Sequence, residues 1–205
     1  MMGLRALLRR RPPIHDLPAL AAFIDQNAAF VVQKGIYEYA RARAGHYAKV
    51  LFGEVGFLQA VEQARWRAYP LGLAMVSELV EGVLTKQDSR RRRERLEALT
   101  DLVLGVFDRY PVPEALGAET WAEARAELWR RLSLIGLHPP KWAKDIPESF
   151  ARAYFDLLPI HEQLRGADFF TIRNYLRVSM CNIHDELMRR MDPRAILAQL
   201  APQSE

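Results

Sequence analysis

The stretch DFFTIRNYLRVSMCNIHDELMRRM, residues 168–191, carries the clearest structural message in the chain. At about 100° per residue, Phe169, Ile172, Leu176, Met180, Ile183 and Leu187 share one face of a helix. Their spacings of 3, 4, 4, 3 and 4 are those of a packing seam. The pattern predicts a helix from Asp168 to Met191. Asp192-Pro193, an N-cap followed by a first-turn proline, then opens a short terminal helix.

The same spacing extends over nearly the whole chain, and alternating β-branched runs are absent. Asp16 with Leu17-Pro18 opens a helix expected to run to Ala44, where Gly45 supplies the stop. Further helices are expected over about 55–68, ending at Tyr69-Pro70, and from Pro70 to about 86. Others are expected from Ser89 to about Tyr110, from Glu119 or Thr120 to near Gly136, and from Pro147 to about Leu158. The proline-rich links at 111–118 and 137–147 are short enough to be connections between helices. The expectation is an all-α, single globular domain of about seven or eight helices over residues 15–201, preceded by a flexible basic arm, residues 1–14.

Composition bounds the class. The chain has 205 residues, 50% hydrophobic and 26% charged, enough to bury a core without disulfide or metal support. A single cysteine, Cys181, points to a reducing compartment, and the cytoplasm is the expected location. The stretch LPALAAFIDQNAAFVV (17–32) is interrupted by Asp25, Gln26 and Asn27, so no transmembrane segment is expected. Leu7-Leu8 runs directly into Arg9, which leaves no apolar core for an export signal. The net charge of +4 resides in the arm: residues 16–205 hold 25 basic and 25 acidic side chains. A fold with balanced charge argues against specific nucleic-acid binding. The arm segment LRALLRRRPP (4–13) offers at most weak contact with an anionic membrane surface.

None of the common phosphate-binding, hydrolase, zinc-protease, EF-hand or paired-cysteine motifs is present. Neither a cofactor nor a metal is expected. Three constellations remain as candidates. On the flank of the 168–191 helix, Arg177, Cys181 and His184 lie one turn apart. They read as half a metal site, as an activated thiol with an anion anchor, or as a packed cysteine beside ion-paired neighbours; the last is favoured. Around SRRRRERLE (89–97), six bases against two acids between Lys86 and Arg95 give a basic patch that includes Arg90, Arg91, Arg92 and Arg93. It adjoins an acidic stretch from Glu97 to Glu127. Finally, Phe30, Tyr37, Trp66 and Tyr69 with Asn27 are candidates to line an apolar pocket.

The function expected from these residues is non-enzymatic: an interaction protein that docks a protein partner through the 86–95 patch. The alternative is a helical pocket that binds or modifies a lipid-like or aromatic small molecule, followed by an enzyme that uses the cysteine–histidine–arginine flank. Homodimerisation is a further expectation.

Overall fold

The computed structural model describes residues 12–161 and 165–201. It is all-α, a single helical domain whose described residues form no sheet. Residues 1–11, which hold most of the basic arm, lie outside the described residues. Pro12 to Ile14 do not belong to an arm. Ile14 is fully buried, its N–H donates to the Arg190 carbonyl at 2.8 Å, and its own carbonyl accepts from the Asp192 N–H at 2.9 Å. The folded body therefore includes these residues, and the boundary expected at 15 moves towards the N-terminus.

The first helix, α1 (Leu17–Ala29), begins where Asp16 Oδ1 accepts the Ala19 N–H at 2.8 Å. It continues through a π-helical turn, Phe30–Lys34, into α2 (Gly35–Ala44), which stops at Gly45 with φ of +52°. The expected 17–44 helix is thus continuous but widened in the middle. A π turn disturbs the i→i+4 ladder, and two of its carbonyls receive side-chain donors. The Tyr175 hydroxyl donates to Val31 O at 3.0 Å, and the Tyr154 hydroxyl donates to Val32 O at 2.9 Å. Gly35 leaves them room, because a Cβ there would lie 2.6 Å from both Tyr154 Oη and Tyr175 Cε1.

After the short α3 (Ala48–Leu51), α4 (Val55–Gln87) forms the axis of the molecule. Every residue from Ala68 to Leu84 is buried, and α1, α2 and four of the later helices pack around it. Two helices meeting at Tyr69-Pro70 were expected; one helix is found, with Pro70 inside it. An interior proline costs about 3 kcal/mol in an exposed helix. Here neighbours hold the chain from every side, and a break would expose apolar surface on both halves. Gly72 sits where α1 crosses, and a Cβ at that position would lie 2.7 Å from the Ala28 carbonyl oxygen.

Next come α5 (Arg92–Phe107) and α6 (Gly117–Leu134). The start of α5 falls three residues after the expected Ser89, for a local reason. Asp88 Oδ1 accepts the Arg90 N–H at 2.8 Å, and Arg91 takes a left-handed φ of +52°. These residues make a turn, and the helix begins only after it. The 3-10 turn Ile146–Ser149 leads into α7 (Ala151–Asp156). The seam first read from the sequence is α8 (Phe169–Arg190), with Ile172, Leu176, Met180, Ile183 and Leu187 buried as expected. The last helix, α9 (Pro193–Leu200), is capped by Asp192, whose Oδ1 accepts the N–H groups of Arg194 and Ala195. No helix among the described residues is long and apolar enough to cross a membrane.

Candidate functional site

The four consecutive arginines separate into different environments. Arg92 turns inward and joins three elements. Its Nε donates to Glu81 Oε1 at 2.6 Å and its Nη2 to Glu81 Oε2 at 3.2 Å. Its Nη1 reaches the His138 carbonyl at 2.9 Å, and Nη2 also reaches the Ile135 carbonyl at 3.3 Å. Glu81, only 4% exposed, also accepts the Thr85 hydroxyl at 2.7 Å. The carboxylate raises the Arg92 pKa through this hydrogen bonding, so the guanidinium stays charged.

Arg92 itself is half-buried, whereas Arg95, outside the run of four, is buried, with Nη2 on the Asp88 carbonyl at 2.6 Å. Arg90 pairs with Asp88 through Nε and Nη2, Arg91 lies 3.8 Å from Glu94, and Arg93 Nε lies 3.0 Å from Glu97. The expected open cationic patch is therefore crossed by carboxylates. Only Arg90 and Arg93 extend fully into solvent.

The acidic stretch is interleaved in the same way. Arg125 binds Asp108 through two 2.7 Å hydrogen bonds, which hold that carboxyl below its usual range. Arg130 and Arg131 do the same for Glu127. What the sequence did not show is the apolar component beside these charges. Trp129 is 55% exposed and Leu137 is 78% exposed. They line one groove of about 640 Å³ between α5 and the end of α6, together with Arg92, Arg93, Glu97 and Asp101.

The five residues expected to line one pocket occupy three places. Tyr69 is buried in a solid aromatic cluster: it lies edge-on to Trp66 and Tyr110 and stacks on Phe107, which stacks on Trp121 at 4.1 Å. Its hydroxyl and that of Tyr110 both donate to Asp25 Oδ1, at 2.7 and 2.9 Å. Burial, followed by the Asp25 carboxylate, raises both phenol pKa values. Tyr37 and the outer edge of Trp66 face a shallow groove with Phe52 and Leu58. Asn27 and Phe30 line a separate cavity of about 800 Å³ between α1 and α8.

That cavity has an apolar base, Phe23 and Ile183, neutral polar walls from Gln26, Asn27, Ser179 and Asn182, and the Glu186–Arg190 ion pair, whose charges offset each other. Asn27 Nδ2 donates to the Phe23 carbonyl at 2.9 Å. Arg190 Nε donates to the Pro12 carbonyl at 3.0 Å at one end. The amides that interrupt the apolar α1 were the signal for this cavity. Its second wall, more than 150 residues later in the chain, was not visible from them.

On α8 the expected triplet divides. Arg177 turns to Glu148 at 3.7 Å. Cys181 and His184 line another cavity, of about 450 Å³, over Leu79, Gly82 and Val83 of α4. No hydrogen bond joins Cys181 to His184; His184 Nδ1 lies 3.6 Å from Asp185 Oδ1. Among the described residues, no three histidine, cysteine or acidic side chains are grouped so as to hold a metal ion. Comparison with protein-family models, curated proteins and solved structures gave no match to this chain.

Proposed function

We propose that this is a non-enzymatic interaction protein that docks a protein partner through the groove between α5 and α6. The observation that carries this reading is the exposure of Trp129 and Leu137 beside Arg93 and Glu97 on one concave surface. Tryptophan and arginine dominate the binding energy of interfaces when they are exposed in the free protein and buried in the complex. The charges at the rim give orientation and speed of encounter more than affinity. Because the arginines already have intramolecular partners, the apolar anchors supply most of the contact. A chain with one thiol suits a reducing compartment, and the cytoplasm is the location this reading adopts.

The test is affinity capture from the protein's own cells at low and high salt, with wild type, Trp129→Ala and Arg93→Glu. A specific partner is expected to be retained by wild type, lost with Trp129→Ala, and made weaker and more salt-sensitive with Arg93→Glu. Retention by both variants at every salt concentration would remove the reading. A second copy of the chain as the partner would appear as a dimer in native mass spectrometry that Trp129→Ala dissociates.

A second reading rests on the cavity between α1 and α8. Its apolar base and amide walls suit a small amphiphile without net charge. Native mass spectrometry of the freshly purified protein tests it: a retained small molecule that Asn27→Leu releases supports it, and its absence from wild type counts against it.

A further inference from the structure

We propose that the cavity between α4, α8 and residues 139–144 binds a small aromatic carboxylate, independently of the docking groove. The chain contains 24 arginines and only five lysines, and three of those lysines, Lys86, Lys141 and Lys144, surround this one cavity. They come from two segments more than 50 residues apart, so the fold rather than local sequence brings them together.

Each has a different role. Lys141 Nζ lies 2.8 Å from Glu78 Oε1, a buried carboxylate, and this pair fixes the 139–144 segment against α4. Lys86 and Lys144 have no carboxylate partner among the described residues. Lys86 Nζ lies 4.6 Å from the centre of the Trp142 ring, and Trp142 itself is 70% exposed.

The chemistry of the ligand follows from these surfaces. The base, Leu79, Gly82 and Val83, is apolar and buried, and excludes a fully hydrated ion such as free phosphate. Trp142 offers an exposed flat ring at the wall, against which a planar apolar body stacks. Lys86, beside one face of that ring, and Lys144 supply two cations at the rim that have no carboxylate partner among the described residues, and a carboxylate there remains partly hydrated. Asp185 also lies at the rim, beside His184, and selects against a ligand with more than one or two negative charges. A cavity of about 450 Å³ is at the small end of the range for organic ligands.

The only thiol of the chain, Cys181, lines the same cavity and reports its occupancy. The experiment measures alkylation of native Cys181 by the neutral reagent N-ethylmaleimide, with increasing 2-naphthoate or its neutral analogue 2-naphthylmethanol. In that labelling reaction the thiolate sulfur adds across the maleimide double bond and the adjacent carbon takes a proton, with nothing released. Saturable protection by 2-naphthoate is expected, with the alcohol at least about tenfold weaker. The Lys86→Glu, Lys144→Glu double variant is expected to lose the protection. Lys49→Glu, an exposed lysine away from the cavity, retains it.

Saturation-transfer NMR of 2-naphthoate with wild type and the double variant gives the same comparison without using the thiol. Equal binding of acid and alcohol would overturn the proposal, as would binding that survives in the double variant or no binding by either method. Because Trp129→Ala does not touch this cavity, failure here and failure of the docking reading are separate outcomes.

Discussion

Arg92 and Arg93 are adjacent in sequence and opposite in consequence. Arg92 compensates the buried carboxylate of Glu81, while Arg93 pairs with Glu97 in solvent. Removing one partner of a buried pair leaves the other charge uncompensated and costs about 3–5 kcal/mol, while an exposed pair is worth at most about 1 kcal/mol. Arg92→Ala is therefore expected to destabilise the protein by about 3 kcal/mol or more, and Arg93→Ala by less than about 1 kcal/mol, in urea unfolding at neutral pH. Equal losses would show that the inward geometry of Arg92 does not hold. In the sequence the four arginines are indistinguishable. The available signal lies elsewhere, in Glu78 and Glu81 within the apolar run LAMVSELVEGVL, since carboxylates placed there require cations from outside their own helix. Which cations answer them, Lys141 and Arg92, depends on the tertiary path and cannot be read from spacing.

At the scale of the element, α4 shows both the reach of local rules and their limit. Its apolar character predicts burial, and its proline predicts a break; burial prevails because the stretch from Ala68 to Leu84, which contains Pro70, is enclosed. The seam of α8 was legible because one face is buried and the other is not, which leaves a period in the sequence. Between Ala68 and Leu84 every residue is buried, so no period marks the crossing points, and the close approach at Gly72 left no pattern to read. Two glycines separate these effects. Gly72→Ala places a methyl against the Ala28 backbone and is expected to cost about 1–3 kcal/mol. Gly105→Ala, exposed on α5 with nothing within 4 Å, is expected to stabilise by about 0.5–1 kcal/mol. Thermal unfolding followed by circular dichroism should move in opposite directions for the two variants, and a shift of the same sign would contradict the packing described.

For the whole molecule, tyrosines set an alkaline limit. Tyr69, Tyr110, Tyr154 and Tyr175 all have raised pKa values, chiefly because burial disfavours the phenolate. In the unfolded chain a tyrosine titrates near about 10. A group whose folded value lies above its unfolded value contributes stability that is complete below the unfolded value and lost as pH rises beyond it. The unfolding midpoint is therefore expected to be insensitive to these groups up to about pH 9.5 and to fall beyond about pH 10. Tyrosinate absorbance near 295 nm should rise together with the loss of helix. Complete ionisation of all seven tyrosines with the fold intact would contradict this. The two donors to the π turn are among these residues, so its carbonyls lose their side-chain partners in the same transition.

The contact between the two ends of the described fold has a consequence for synthesis. Ile14 is enclosed by hydrogen bonds to Arg190 and Asp192, and the His15 carbonyl accepts from Gln199 Nε2 at 2.9 Å. On the ribosome, α1 emerges early and meets α4 as soon as residue 84 is free, but the residues that fasten its leading edge are translated more than a hundred codons later. Nascent chains arrested before residue 190 are therefore expected to hold α1 against α4 with Ile14 still open to water, and to become protease-resistant at that edge only after α9 has emerged.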